Sequence, residues 1–237
     1  MPEVFAEGQG GLLDVSIHPR FAETGLVYLT YAAGTAERNR TTVARARLDG
    51  ARLVDLRVLF EVSPAKREGQ HFGSRILWLP DGTLLVSIGD GGNPPLEIEG
   101  ILTRDHAQRL DTQLGSVIRL KDDGSVPHDN PFVGQKHAAP ELWAYGVRNI
   151  QGMALDPDGK VWANEHGPRG GDELNLLQRA PRNQQPVAQS IESPRAGIFG
   201  EGEEPKRSCT GRTTSFGDNA LVGKTKRGGV MDCATGC

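Results

Sequence analysis

One loop of the sequence carries the residue types that bind a hard cation. Residues 164–177 are Asn-Glu-His-Gly-Pro-Arg-Gly-Gly-Asp-Glu-Leu-Asn-Leu-Leu, so Gly167, Pro168 and three acidic side chains precede an apolar stretch. Ca²⁺ takes roughly six to eight oxygen ligands and accepts backbone carbonyls as well as carboxylates. Acidic, glycine-rich loops are also common as solvated turns, and the composition of this loop leaves both interpretations open.

Four further segments place polar residues beside apolar stretches. They are Gly-Gln-Gly-Gly-Leu-Leu-Asp at 8–14, Gln-His-Phe-Gly-Ser-Arg at 70–75, Ile-Gly-Asp-Gly-Gly at 88–92 and Tyr-Gly-Val-Arg-Asn-Ile-Gln-Gly at 145–152. His71 is a candidate general base, because an imidazole titrates near neutral pH and a carboxylate such as Asp90 can fix its tautomer. Arg148 is a candidate for binding anionic oxygens with two N–H groups. A single histidine is also common as a structural residue.

Composition indicates a turn-rich, all-β protein. The 237 residues include 31 glycines and 15 prolines, with 5% aromatic and 37% hydrophobic residues, and no long helical pattern is present. A net charge of −3 and a pI near 6.1 give no reason to expect nucleic acid or an anionic membrane as a partner. No apolar run approaches the roughly 18 residues of a membrane span. The first residues lack a signal peptide, so we expect either a cytoplasmic protein or a missing N-terminus.

A strand-turn-strand unit recurs along the chain. Its three copies lie at 16–31, 76–88 and 153–163, each with a proline in the turn, and two of the turns read Pro-Asp-Gly or Asp-Pro-Asp-Gly. Such units, recurring with long intervening loops, are typical of a β-propeller whose blades carry insertions, and a β-sandwich is the alternative. Residues 97–109 are polar and mixed, and we expect a long loop there.

The character of the sequence changes near residue 179. From there, Pro, Ser, Gly, Arg and Gln dominate, and apolar residues are sparse. We therefore expect a partial propeller at 1–178 and an irregular or disordered tail at 179–237, possibly the product of a frameshift. All three cysteines, Cys209, Cys233 and Cys237, fall in this tail, where they form neither a disulfide framework nor a convincing zinc site.

The motifs together resemble the soluble pyrroloquinoline quinone (PQQ)-dependent aldose sugar dehydrogenases of the glucose/sorbosone dehydrogenase family. The resemblance covers about residues 3–178 and rests on five motifs in the family's order. These are Gly-Gln-Gly-Gly-Leu-Leu, His-Phe-Gly-Ser-Arg, Ile-Gly-Asp-Gly-Gly, Gly-Val-Arg-Asn-Ile-Gln-Gly and Glu-His-Gly-Pro-Arg-Gly-Gly-Asp-Glu-Leu-Asn. The resemblance implies a six-bladed propeller with four antiparallel strands per blade, which agrees with the repeat.

The resemblance also implies roles for individual residues. His71 would take the proton of the sugar's anomeric hydroxyl as hydride passes to PQQ, and Asp90 would orient His71. The cofactor would contact Gln9, His71, Arg148 and Asn149. Ca²⁺ would bind the carbonyls of Gly167 and Pro168, and Glu173 would bind a second, structural Ca²⁺. The substrate would be an aldose, the product a lactone, the electron acceptor unknown, and the location periplasmic or secreted.

The match to the family is partial, because family members have most of another blade before Gly8 and several blades after Leu177. We therefore expect this chain to bind the cofactor poorly, to expose open blade edges and to aggregate readily, and the sequence leaves open whether this partial chain is active. Two other functions are open. A non-enzymatic propeller could bind a carbohydrate or a partner at the same channel, and a calcium-dependent lactonase-like hydrolase could use the metal, although such a hydrolase needs a carboxylate and amide cage around it.

Overall fold

The computed structural model describes residues 2–93, 95–167 and 170–180, together with the backbone of 189–190. In these residues the regular secondary structure is almost entirely antiparallel sheet. Alternating apolar residues and proline-glycine turns form three four-stranded sheets and one small hairpin. The helical elements are a four-residue helix α1 (Phe21–Thr24) and a 3₁₀ helix (Thr103–Gln108). Within this part of the chain, no helix is long and apolar enough to cross a membrane.

Each large sheet is one blade, and most of its strands follow one another in sequence. Blade 1 contains β1 (Leu12–Ile17), β2 (Leu26–Gly34), β3 (Asn39–Asp49) and β4 (Arg52–Glu61). Blade 2 contains β5 (Gly73–Trp78), β6 (Leu84–Ile88), β9 (Ser116–Leu120) and β10 (Leu142–Tyr145). Blade 3 contains β11 (Ile150–Leu155), β12 (Val161–Glu165), β13 (Glu173–Leu177) and β14 (Gln189–Ser190).

The segment between β6 and β9 is more ordered than the long loop expected at 97–109. It forms the hairpin β7 (Glu97–Ile98) and β8 (Ile101–Leu102), and the 3₁₀ helix follows directly. The physical reason is the pair Ile98 and Ile101, which face each other across the hairpin and are partly buried. A two-residue turn at Glu99 and Gly100, both with positive φ, closes it.

Blade 2 lies between the other two blades and supplies residues to both hydrophobic cores. Alternate residues of β6 point to opposite faces, so Leu84 and Val86 enter the core shared with blade 1, whereas Leu85 enters the core shared with blade 3. Strand β9 divides in the same way, with Ile118 on one side and Val117 on the other. Both strands are therefore buried along their whole length.

The first strands of the blades, β1, β5 and β11, lie side by side, with β5 between its two neighbours. Side chains link them directly. Asp14 of β1 accepts a hydrogen bond from the backbone N–H of Ile76 (2.9 Å), and the Nε of Arg75 donates to the carbonyl of Gln151 in β11 (2.6 Å). This arrangement makes the described part of the chain an incomplete β-propeller of three blades, as the sequence predicts.

Apolar side chains are exposed to solvent on the first and third blades. Val15 of β1 is 61% exposed and Leu174 of β13 is 51% exposed. The predicted boundary at residue 178 stays a prediction, because most of 179–237 lies outside the described residues. The third blade itself extends to β14, which pairs with β13 through Asn175 and Leu176.

Candidate active site

The candidate site lies where the inner strands begin, and it is built around His71. His71 ends the connection from β4 to β5 and is 4% exposed. Its Nδ1 lies 2.6 Å from Oδ1 of Asp90, which follows β6 and is equally buried. Because a carboxylate only accepts hydrogen bonds, Nδ1 carries the proton, and Nε2 is left as the basic nitrogen. The pair can therefore act as a base with a fixed tautomer.

The backbone around His71 is held in an uncommon conformation. His71 has φ of +44°, in the left-handed region that non-glycine residues rarely adopt. The Oε1 of Gln9 accepts a hydrogen bond from the backbone N–H of His71 (2.8 Å), and the carbonyl of His71 lies against Gly89. A Cβ on Gly89 would fall 2.0 Å from that carbonyl oxygen, so only glycine permits this approach. Strain of this kind concentrates at functional sites.

Asn149 and Arg148 reach the site from the turn before β11. The Oδ1 of Asn149 accepts a hydrogen bond from the backbone N–H of Gly73 (3.0 Å), which ties this turn to the start of β5. Arg148 is half-buried and donates from Nη1 to the carbonyl of His166 (2.7 Å) and from Nη2 to Oδ1 of Asn93 (3.1 Å). Its backbone carbonyl accepts from the N–H of Asp90 (2.8 Å). The structure thus brings His71, Asp90, Arg148, Asn149 and Gln9 together.

A polar cavity of about 280 Å³ opens beside this cluster. Gln9, Asn149 and Gln151 contribute amides to it, and Arg75 contributes a guanidinium. His71 itself does not line the cavity, although its neighbours Gln9 and Phe72 do. Amide and guanidinium donors suit an anionic, oxygen-rich molecule. PQQ is such a molecule, so the residues present fit the predicted cofactor.

The predicted calcium residues are only partly described. Gly167 lies in the loop after β12, where its N–H donates to Oδ1 of Asp172 (3.1 Å), and Pro168 lies outside the described residues. Glu173 is exposed, and its Oε2 accepts a hydrogen bond from Nδ2 of Asn175 (3.1 Å). In the part of the chain that the structure describes, no group of three or more His, Cys, Asp or Glu side chains is arranged to hold a metal ion.

Glu165 is a residue whose role sequence analysis missed. Its Oε2 accepts hydrogen bonds from the backbone N–H groups of Arg148 (2.7 Å) and Asn149 (3.1 Å), and its Oε1 accepts from Nδ2 of Asn175 (2.8 Å). Burial raises the pKa of Glu165. The buried carboxylate therefore fixes the turn that carries two predicted cofactor contacts. The only signal in the sequence is an acidic residue at the end of a strand.

Replacing Glu165 with glutamine is expected to destabilise the protein by about 1–3 kcal/mol at pH 5. The glutamine amide nitrogen would face either the two backbone N–H groups or the amide of Asn175, so donors would oppose donors. Since the folded pKa of Glu165 is raised, wild-type stability falls as pH rises from about 4.5. The difference in the free energy of unfolding between the wild-type protein and Glu165→Gln should therefore decrease with rising pH. Urea unfolding at a series of pH values measures it. Glu97→Gln, at an exposed position in β7, is the control and should change little.

The three neighbouring four-stranded blades define the class of the protein as a β-propeller. Its candidate site, with the buried pair of His71 and Asp90, lies at the end of the channel where the inner strands begin. The chain belongs to the glucose/sorbosone dehydrogenase family, whose family model matches residues 1–190. It is 60% identical over 186 residues to an uncharacterised protein of Synechocystis sp., covering 78% of this chain and 45% of the relative. It is 40% identical over 192 residues to the aldose sugar dehydrogenase YliI of Escherichia coli, covering 79% and 49%.

A solved structure has the same fold. The PQQ-bound form of aldose sugar dehydrogenase from Streptomyces coelicolor aligns with a TM-score of 0.59 and 28% identity, over 76% of this chain and 49% of that chain. The chain spans about half the length of the curated relatives it matches. The resemblance identified from the sequence motifs is therefore confirmed at the level of the family.

Proposed function

We propose that this chain is a PQQ-dependent aldose dehydrogenase that oxidises the anomeric hydroxyl of a sugar to a lactone. The observation that carries the proposal is the buried contact of 2.6 Å between His71 Nδ1 and Asp90 Oδ1 beside a cavity lined with amide and guanidinium donors. Membership of the family and the PQQ-bound structure of a relative support it.

In the proposed mechanism, Nε2 of His71 accepts the proton of the anomeric hydroxyl. Asp90 keeps the proton on Nδ1 and stabilises the imidazolium that forms. Bound PQQ supplies the two-electron acceptor that takes up hydride from the sugar. Arg148 presents its guanidinium to the developing negative charge, while Gln9 and Asn149 orient the cofactor through their side-chain amides.

Calcium belongs to the same proposal. The carbonyl oxygens of Gly167 and Pro168 would bind a Ca²⁺ ion that acts as a Lewis acid at the cofactor. Glu173 would bind a second, structural ion. The proposed cellular location is the periplasm or the exterior of the cell, as the family resemblance implies.

The proposal is tested by adding PQQ and Ca²⁺ to the purified chain, supplying glucose or another aldose, and following reduction of an artificial dye. Because the match to the family is partial and PQQ binding is expected to be weak, the assay uses millimolar PQQ; dye reduction that needs all three additions supports the proposal. Cofactor binding is measured separately, from the quenching of tryptophan fluorescence by PQQ. Binding without turnover on a panel of aldoses would point to a binding propeller, and absence of PQQ binding at millimolar cofactor would overturn the proposal.

A further inference from the structure

Lys66 is a buried cation that the proposed mechanism does not use. The residue is 3% exposed and lies on the connection between β4 and β5, five positions before His71. Its ammonium group donates to Oδ1 of Asn39 (2.9 Å) and to the carbonyl of Glu68 (3.0 Å). It also lies 3.6 Å from the centroid of the Phe72 ring. Lysine is almost never this buried without a specific partner, so its contacts need an explanation.

The contacts of Lys66 fix the backbone that leads to His71. Lys66 and Asn39 of β3 exchange two backbone hydrogen bonds of 2.8 Å, and Nδ2 of Asn39 donates to the same Glu68 carbonyl (3.0 Å). Glu68 and His71 both have positive φ, at +58° and +44°. Such conformations are unfavourable for residues other than glycine. The hydrogen bonds of Lys66 therefore hold a strained segment against blade 1.

Lys66 also lies close to the loop that carries Asp90. A Cβ on Gly91, the residue after Asp90, would lie 3.1 Å from Cδ of Lys66. Burial lowers the pKa of Lys66 from 10.5 to about 7, and the charges of Asp90 and then Glu68 oppose that shift. The charged groups that act on Lys66 are therefore these two carboxylates. Asp90 follows β6, and Glu68 belongs to the same connection as Lys66. Asn39 of β3 and the Phe72 ring carry no charge.

We propose that Lys66 is a positioning residue for the His71–Asp90 pair, which braces the backbone that presents His71 and serves as a charge partner of Asp90. The inference deepens the proposed function, because it assumes that His71 is the base. While Lys66 is protonated, its charge offsets the buried carboxylate of Asp90. When Lys66 loses its proton, that carboxylate keeps an uncompensated charge, and the hydrogen bond from His71 Nδ1 transmits the change to the imidazole ring.

The test is a pH titration of the cofactor-free chain labelled with ¹⁵N-histidine, followed by NMR. The His71 ring signals are assigned by their loss in His71→Gln. We expect the pH midpoint of the His71 ring signals to be higher in Lys66→Met than in the wild-type protein, because the variant lacks the positive charge close to the pair. Lys66→Arg keeps that charge and should stay close to the wild-type midpoint. Lys160→Met, which removes an exposed lysine between β11 and β12, should leave the midpoint unchanged.

A His71 midpoint that is the same in Lys66→Met as in the wild-type protein would overturn the proposal. If Lys66→Met does not fold, Lys66→Gln gives the answer, because it offers an N–H donor without a titrating charge. Stability gives a second measurement. Because the folded pKa of Lys66 lies below its ordinary value, the unfolded chain binds the extra proton between pH 7 and 10.5, and wild-type stability should rise across this window. That rise should disappear in Lys66→Met; a rise of equal size in the variant would also count against the proposal.

Both measurements are made without cofactor or sugar. A failure of the dye assay would therefore overturn the proposed function and leave the link between Lys66 and Asp90 to be judged by the titration. Conversely, the wild-type chain could reduce the dye while the His71 titration is unchanged in both Lys66→Met and Lys66→Arg. That result would support the proposed function and show that Lys66 does not act on the His71–Asp90 pair.

Discussion

Replacing His71 with glutamine is expected to lower kcat for PQQ-dependent aldose oxidation by about 10²–10⁴-fold, the range that general base catalysis contributes. Glutamine keeps the approximate length of the side chain but has no basic nitrogen. The measurement is the initial rate of dye reduction with saturating PQQ, Ca²⁺ and aldose. The variant loses one of the predicted cofactor contacts but should still bind PQQ, because the amide and guanidinium groups that line the cavity are unchanged.

The matched control is His128→Gln, at an exposed histidine outside the candidate site. It should retain the wild-type rate. A His71→Gln protein that is folded, binds PQQ and turns over at the wild-type rate would show that another group removes the proton.

Replacing Asp90 with asparagine is expected to have the second largest effect, a fall of about 10²–10⁴-fold in kcat. Oδ1 of Asp90 accepts hydrogen bonds from both His71 Nδ1 (2.6 Å) and the backbone N–H of Gly92 (3.1 Å). If the oxygen of asparagine keeps this position, both bonds persist, but the neutral amide no longer stabilises the imidazolium that forms. If the amide nitrogen takes the position, it donates to Nδ1 of His71 and favours the tautomer with the proton on Nε2, the nitrogen needed as the base.

This substitution is compared with Asp158→Asn, at an exposed position in the turn between β11 and β12. The rates of both variants are measured as for His71, with thermal unfolding as a check on folding. Activity in Asp90→Asn equal to that of Asp158→Asn would mean that Asp90 has a purely structural role.

The parts of the site that the sequence predicts are those with a local signal. His71 and Asp90 each lie next to a strand of the repeated unit, and a propeller brings the ends of its strands to one channel mouth. Arg148 and Asn149 precede β11 in the same way. Because the blades repeat, the position of a residue relative to its strand was enough to indicate that these side chains would meet.

Lys66 and Glu165 show what local patterns do not predict. Lys66 belongs to a polar segment of Pro-Ala-Lys-Arg-Glu-Gly that is typical of a solvated loop, yet Lys66 is buried and its neighbour Arg67 is exposed. Glu165 belongs to an acidic loop in which composition favours no single carboxylate. Which charged side chain is buried depends on a segment distant in sequence, which is Asn39 of β3 for Lys66 and the turn at Arg148 for Glu165.

The sequence by itself determined the all-β class, the strand-turn-strand units and the family, because these depend on side-chain alternation, turn residues and short motifs. Only the tertiary structure decided that β6 and β9 are buried on both faces and that Gln9 supports the backbone of His71 across 62 positions. The physical reason is that these contacts join different blades. Hydrogen bonds and burial between distant segments follow from how the blades pack, and no periodicity within one segment encodes them.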